Sequence, residues 1–570
     1  MLDELRACSS LDDVAQVLGY KVSRLAYLLY KIPDTSKYTP KLIAKKSGGF
    51  RHIEAPIGSI KRLQRVLSSV LYLCNSEVTE LVGPKRLCAF GYVKNRNIVD
   101  NANMHPKKKY VFNVDIENYF GSIHIGRIMG YLQKDQNFLL HLTTAKIIAQ
   151  ICCKDGVLPQ GAPTSPIVSH LIGTILDSRL SKFARTHGCV YSRYVDDLTF
   201  STSRADFPSA IAVRNESDQG WKAGDGLVAL IGRSGFALNL PKTRMSLYDS
   251  RQTITGLVSN SKPNVTSEYR RSTRAMCHTL FMGGSPHRKD FFVGEDGDQL
   301  PATLNAVEGR LGFQYDVDHR FDQRSLAERL KNRTSRDKTF YAFLLYKIFM
   351  ANQRPLIITE GDTDKVYLEC SAKALRPNDQ RFVVPSAPGP VLAFNVLNRG
   401  KRLAQVMGWT GGTGPIQNAL IGLKLFKNKF PVKPEAPVII LVDNDQGSKS
   451  IFSVIKENYN IEINHDDESD YFKLADGLYL IKTPHLGKRK MTFIESFLPA
   501  SALAHKIGGR GFSSSNEYNK RTHFGKADMA KFVSNNRVSI SFLGYALLLN
   551  RIEAALGREP INGIPSASVF

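Results

Sequence analysis

The string Val190-Tyr-Ser-Arg-Tyr194-Val195-Asp196-Asp197-Leu-Thr-Phe-Ser constrains this chain more than any other. It reads as strand, tight turn, strand, and the turn sets two adjacent carboxylates at a hairpin tip. A second apolar strand, within Tyr110-Val-Phe-Asn-Val-Asp115-Ile-Glu-Asn-Tyr-Phe120, ends in a third. Pairing the two segments in one sheet would let Asp115, Asp196 and Asp197 meet. Clustered carboxylates without histidine or cysteine suit a hard cation such as magnesium. Phosphoryl transfer from a nucleoside triphosphate needs two such ions, one to activate the attacking 3′-hydroxyl and one to neutralise the leaving oxygen. Taken alone, the turn also reads as a solvated hairpin tip.

Charge points to the same kind of partner. The 570 residues carry a formal charge of +25, which implies a polyanion, most commonly nucleic acid. A ribosome-associated or membrane-surface protein would show the same balance. The start, Met1-Leu-Asp-Glu-Leu-Arg, lacks the basic and apolar regions of a secretory signal. No apolar run approaches the ~20 residues that span a bilayer, so no membrane partner is expected. The eight cysteines are scattered without Cys-x-x-Cys pairs, which argues against zinc ribbons and a disulfide framework and fits a cytoplasmic protein.

The length predicts two or three domains. Residues 1–35 read as helices, with a capping box at Ser10-Leu-Asp-Asp13. Strands and helices alternate up to about 265, with a polar stretch at 204–226 that reads as a surface insertion. A basic helix follows within 266–330, and 331–354 reads as a linker. A second α/β domain is expected over 355–500, with a C-terminal extension over 501–570.

Between the two acidic strands lies Leu158-Pro-Gln160-Gly161-Ala-Pro-Thr-Ser165-Pro166, and beyond them Asn239-Leu-Pro-Lys242-Thr. In order and spacing these segments resemble motifs A to D of reverse transcriptases. The resemblance implies an α+β right-hand polymerase of fingers, palm and thumb, with Asp115, Asp196 and Asp197 holding two magnesium ions. It makes Phe120 the steric gate against a 2′-hydroxyl, and Gln160 and Gly161 part of the nucleotide pocket. Arg51, with help from Lys45 or Lys46, would clamp the triphosphate. Lys242 would sit near the pyrophosphate as a general acid.

Two further strings narrow the resemblance. Asn101-Ala-Asn-Met-His105 and Ile254-Thr255-Gly256-Leu257 look like signatures of bacterial retron reverse transcriptases, with Ile in place of the usual Val in the second. His105 could equally be a satisfied structural histidine. The family implies a structured noncoding RNA as template and primer, deoxynucleoside triphosphates as substrates, and a DNA product branched from a guanosine 2′-hydroxyl. Asn101, His105, Thr255 and Gly256, together with Tyr269, Arg270, Arg271 and Arg274 on the basic thumb helix, would contact that RNA. A solvated basic face is the competing reading of this helix, and a homo-oligomer is compatible with such a complex.

A second acidic set follows. Glu360 ends the apolar run Pro355-Leu-Ile-Ile-Thr, and Asp443 ends Val438-Ile-Ile-Leu-Val442. Acids at the carboxyl ends of parallel strands face one crevice, and Asp364, Asp445 and Glu495 lie close in sequence to these segments or downstream of them. Magnesium or manganese suits such a set. The Glu-Gly…Asp-x-Asp arrangement resembles a Toprim domain, and Glu360-x-x-x-Asp364 with Thr492-x-x-Glu495 resembles the OLD-nuclease branch. That likeness implies a metal held by Glu360, Asp443 and Asp445, and a second helped by Asp364 and Glu495. No P-loop is present, so the ATPase that accompanies OLD nucleases is missing from the sequence given. The expectation is a retron-type RNA-directed DNA polymerase fused to a metal-dependent nuclease effector in antiphage defence. The alternatives are a second domain that only binds or processes the RNA–DNA product, and a catalytically idle binding scaffold.

Overall fold

The computed structural model describes residues 1–44, 48–83, 88–215, 220–285, 302–387, 389–426, 429–515 and 518–557. The chain divides into two units, Met1–Thr266 and Ser267–Phe570. Among the described residues no helix is long and apolar enough to cross a membrane. All eight cysteines are free, and Cys152 and Cys153 are buried.

In the first unit the expected capping box opens the helix Leu11–Val17. The Asp13 N–H donates to the Ser10 hydroxyl and the Ser10 N–H to the Asp13 carboxylate. Tyr38–Ala44 (β1) and Phe50–Pro56 (β2) pair as an antiparallel ribbon. Lys45 and Lys46 lie outside the described residues. The acidic strands are Tyr110–Asp115 (β3) and the hairpin Val190–Tyr194 (β4) and Asp197–Thr202 (β5). The 204–226 stretch is more than an insertion. It contains the hairpin Ala212–Arg214 (β6) and Trp221–Ala223 (β7), and Phe207, Ile211, Ala212 and Ala223 join the core. Arg244–Leu247 (β8) completes an antiparallel sheet of order β4-β5-β3-β8. Thr253–Ile254 (β9) and Leu257–Val258 (β10) form a small hairpin against the helix Ile98–Ala102.

The second unit is built on Leu356–Ile358 (β11), Asn395–Val396, Val438–Val442, Phe472–Ala475 and Leu478–Lys482. Between the first two of these, Val383–Val384 (β12) and Val391–Leu392 (β13) pair separately. With Asn395–Val396 as β14, Val438–Val442 as β15, Phe472–Ala475 as β16 and Leu478–Lys482 as β17, the order is β14-β11-β15-β17-β16. All neighbours are parallel except β16 and β17. Every residue of β15 is buried, as a strand covered on both faces requires.

Strand alternation sends Ile358, Val438, Ile440 and Val442 to one core and Ile357, Ile439, Leu441 and Ile481 to another. The first core includes the helices Ser267–Phe281, Leu304–His319 and Ser335–Phe349. The segment 331–354 is therefore not a linker. Its helix opens polar, but every residue from Phe340 through Tyr346 is buried, the mark of a helix whose body is interior. The second core includes Met529, Tyr545, Leu548 and Ile552, so the α/β domain does not close at residue 500.

Candidate active sites

Strand register brings the first three carboxylates together. Asp115 stands opposite Asp197 across β3 and β5, and the Ile116 N–H donates to the Asp196 carbonyl at 3.0 Å. The turn between Tyr194 and Asp197 places Val195 at φ +62°, a left-handed conformation that a β-branched residue rarely adopts. It is held from two sides. Buried Arg193 donates to both oxygens of Asp177 (2.8 and 2.7 Å) and to the Val195 carbonyl at 3.1 Å. Residues 88–91 run beside β4, where Phe90 N–H donates to the Arg193 carbonyl at 2.8 Å. A Cβ on Gly91 would lie 2.6 Å from Val195 Cγ2 and 2.7 Å from its backbone nitrogen, so only glycine permits this approach.

Burial, then the charge of Asp115, raises the Asp196 carboxyl above its ordinary value. Burial, then Asp196 and Asp115, pushes Asp197 up to about 6. Lys242 Nζ donates to both Asp115 oxygens at 3.0 Å, and Asn239 Nδ2 to one of them at 3.2 Å. Lys242 is thus partnered with a carboxylate of the cluster and 60% exposed.

The other pocket residues gather around this point. Arg51 is exposed on β2, close enough for its charge to act on Asp196. The Glu54 N–H donates to the Gln160 carbonyl at 2.8 Å, and Gly161, at φ +107°, would bring a Cβ to 2.6 Å from Ile53 Cγ2. The 160–161 loop is thereby docked on β2. Phe120 is half-buried, its ring 6.4 Å from that of Tyr92. Tyr92, raised above its ordinary value by burial and then by Asp196, belongs to this site although the sequence reading did not single it out.

The RNA-contact expectations divide. His105 is fully buried, with Nδ1 2.7 Å from Ser201 Oγ and Nε2 2.7 Å from Ser192 Oγ, and burial lowers it to about 3. Asn101 is 1% exposed. Neither side chain can reach RNA; His105 ties the segment after the helix Ile98–Ala102 to β4 and β5. Thr255 and Gly256, at φ +45° and +84°, form the β9–β10 turn, and Gly256 is exposed. In the second unit Arg271 and Arg274 are exposed and Arg270 half-buried. Tyr269 is engaged internally, its hydroxyl donating to the Arg310 carbonyl at 3.2 Å and its ring lying 4.1 Å from the Arg310 guanidinium.

The second acidic set also converges, at the carboxyl ends of β11 and β15. The Asp443 N–H donates to Glu360 Oε1 at 3.1 Å, the Ile494 N–H to Asp443 Oδ1 at 2.9 Å, and the Gly361 N–H to Asp364 Oδ2 at 2.8 Å. Burial, then Asp445 and Asp364, pushes Glu360 up to about 7. Burial, then Glu360, raises Asp443 far above its ordinary value, and burial raises Asp364 and Glu495. Asp445 accepts from the Gly447 and Ser448 N–H groups, so part of its capacity caps a 3-10 turn. Glu495 is 0% exposed, neither of its oxygens has a hydrogen-bond partner among the described residues, and Lys526 Nζ lies 3.4 Å away. Burial opposes the charge of Lys526, but Glu495, Asp443 and Asp364 outweigh it and hold the ammonium. Lys526 had no sequence signal; it lies in the expected extension and reaches the site only through the fold.

Among the described residues no three or more of His, Cys, Asp and Glu form a ready-made metal cage. Magnesium keeps several waters and binds through one or two carboxylates plus substrate phosphates. Mutually repelling carboxyls in the first site and the buried Glu495 carboxylate of the second, balanced by Lys526, fit that partial role.

Residues 43–268 match the family model described as reverse transcriptase (RNA-dependent DNA polymerase). The retron Ec86 reverse transcriptase of Escherichia coli is 29% identical over 327 residues, 56% of this chain and 88% of that protein. The retron Mx162 reverse transcriptase of Myxococcus xanthus is 30% identical over 345 residues, 55% of this chain and 65% of that one. The retron Mx65 reverse transcriptase of the same organism is 30% identical over 288 residues, 47% and 62% of the two chains. The chain therefore spans less than two thirds of the latter two. A solved telomerase from Candida albicans with a fragment of telomeric RNA aligns at TM-score 0.30 and 12% identity, over 54% of this chain and 60% of that one, a likeness too loose to define the fold. The family match and the retron relatives support a reverse transcriptase of the retron type.

Proposed function

We propose that this chain copies a structured noncoding RNA, serving as template and primer, into single-stranded DNA that stays joined to the RNA (msDNA). We further propose that its second unit is a Toprim, OLD-nuclease-like domain acting as an antiphage effector. The reading rests above all on the register that sets Asp115 opposite Asp197 with Asp196 beside them. Those three carboxylates would hold magnesium, which supplies an activated 3′-hydroxyl and a neutralised leaving oxygen when bound. Phe120 and Tyr92 wall the sugar side and exclude a 2′-hydroxyl. Arg51 binds the triphosphate from β2, and the docked Gln160–Gly161 loop supports the incoming base. Lys242 steadies Asp115 before substrate enters and would give a proton to the departing pyrophosphate.

In the second unit Glu360, Asp364, Asp443, Asp445 and Glu495 are the acids that would hold magnesium or manganese for phosphodiester hydrolysis. Lys526 keeps Glu495 from facing its neighbours uncompensated. The chain co-expressed with its adjacent noncoding RNA, given magnesium and deoxynucleotides, should yield RNA-linked DNA. Asp196→Asn with Asp197→Asn should abolish it; DNA formed only on separately primed templates would remove the retron part of the reading. Growth arrest on expression that depends on Glu360 and Asp443 would support an effector. Arrest-free expression with altered product lengths in Glu360→Gln would instead favour a processing domain.

A further inference from the structure

The basic helix and the second acidic site belong to one unit, whose surface carries two depressions that share lining residues. One depression, of about 720 Å³, is lined by Arg270, Arg271 and Arg274 on one side and by Lys338 and Lys429 on the other. A second, of about 1140 Å³, is lined again by Lys338 and Lys429, then by Lys331 and Arg333, and reaches Gly408, Thr410 and Gly414. No Asp or Glu is among the described residues lining either depression, in a chain with 52 acidic residues. The glycine-rich loop at its far end is tied to the backbone of the acidic site: Gly412 N–H donates to the main-chain carbonyl of Glu360 at 3.0 Å. Apolar surface lies along the way, with Met282 57% and Leu425 75% exposed.

We propose that these two depressions form one track for a single polynucleotide strand, running from the 267–281 helix past Lys338 and Lys429 to the Glu360–Asp443 site. The chemistry is that of single-strand binding: cations spaced along a groove for phosphates, with apolar and aromatic surface for bases. Lys338 and Lys429 are the hinge of the track because both depressions share them, and both are exposed. The inference rests on the nuclease reading of the second unit and names its substrate class, an unpaired strand rather than a closed duplex.

The test is binding by the full chain, in EDTA so that nothing is cut, of a fluorescent oligouridylate and an oligothymidylate of roughly twenty nucleotides. Affinity is followed by anisotropy against salt concentration. Lys338→Ala with Lys429→Ala should weaken binding about tenfold at low salt and reduce the log–log salt slope by about 1.4, the value for two phosphate contacts on a single strand. Lys456→Ala, an exposed lysine of the same unit paired with Glu462, should change neither. A 4-thiouridine strand should photo-crosslink to peptides covering 331–341 and 408–426. An unchanged slope in the double variant, an equal loss in Lys456→Ala, or crosslinks confined to the first unit would each overturn the track. Comparing the two oligonucleotides decides between RNA and DNA. Cleavage absent from the wild-type chain with magnesium, beside an intact slope effect, would fell the nuclease reading and leave the track standing.

Discussion

Lys242 and Glu360 show how single side chains manage concentrated negative charge. With Lys242 donating to both oxygens of Asp115, the cluster carries a built-in counter-ion until substrate arrives. Lys242→Ala should slow single-nucleotide incorporation about 100-fold, the low end of general-acid effects, with little change in template binding. Among the described residues no cation hydrogen-bonds Glu360; the charge of Lys526 acts on it, but burial and then Asp445 and Asp364 outweigh that and raise its carboxyl from 4.5 to about 7. A raised carboxyl holds its proton more tightly in the folded than in the unfolded chain, so stability falls as pH rises from 4.5 to about 7. Glu360→Gln keeps the acceptor for the Asp443 N–H and removes the charge. Without divalent ions its melting temperature should exceed that of the wild type by about 2–4 °C at pH 8, a gap that closes towards pH 4.5. A scan showing the same gap at both ends would exclude this assignment. The carboxylates were legible in the sequence because the chemistry leaves few other residue types. Tyr92 and Lys526 were not, since an aromatic or a lone lysine carries no such demand until folding sets it beside an acid.

At the scale of elements, the palm hairpin depends on a segment a hundred residues away. Gly91→Ala should push Val195 out of its left-handed turn, with loss of DNA synthesis by at least tenfold and a nearly unchanged far-ultraviolet circular dichroism spectrum. The helix Ser335–Phe349 makes the opposite point. Its polar opening, Ser335-Arg-Asp-Lys338, reads as the end of a linker, while Phe340 to Tyr346 is buried all round. Phe343, fully buried, should cost about 3–5 kcal/mol on replacement by alanine, seen as a lowered urea midpoint for the second unit. A true linker residue would cost next to nothing. The capping box at Ser10, the three palm strands and β15 were readable because each is specified locally, by a cap or by an apolar run. Small β6 and β7 were masked by polar neighbours, and only the burial of Phe207 and Ala223 reveals that the stretch belongs to the core.

The whole molecule is two units whose boundary at Thr266 falls where the basic helix begins. That helix joins the core of the second sheet, so the thumb expected over 266–330 and the α/β domain expected over 355–500 are not separate bodies in cohesion. The charge surplus of +25 does not betray this, because it reports a polyanionic partner and says nothing of which elements share a core. A chain ended after residue 500 should lose the second unit's calorimetric transition, because Phe524, Met529, Tyr545, Leu548 and Ile552 cover one face of its sheet. That covering face has a consequence in time. A ribosome making about 5–20 residues per second takes roughly 15–60 s to pass from the end of the polymerase unit to the helix Ala546–Ala555. In its last part, after Lys482 closes the strand order, the nascent protein carries a complete first unit and a second sheet still bare on one face, and Lys526 has yet to meet Glu495. The order of synthesis by itself therefore gives the polymerase a head start over the acids that follow it.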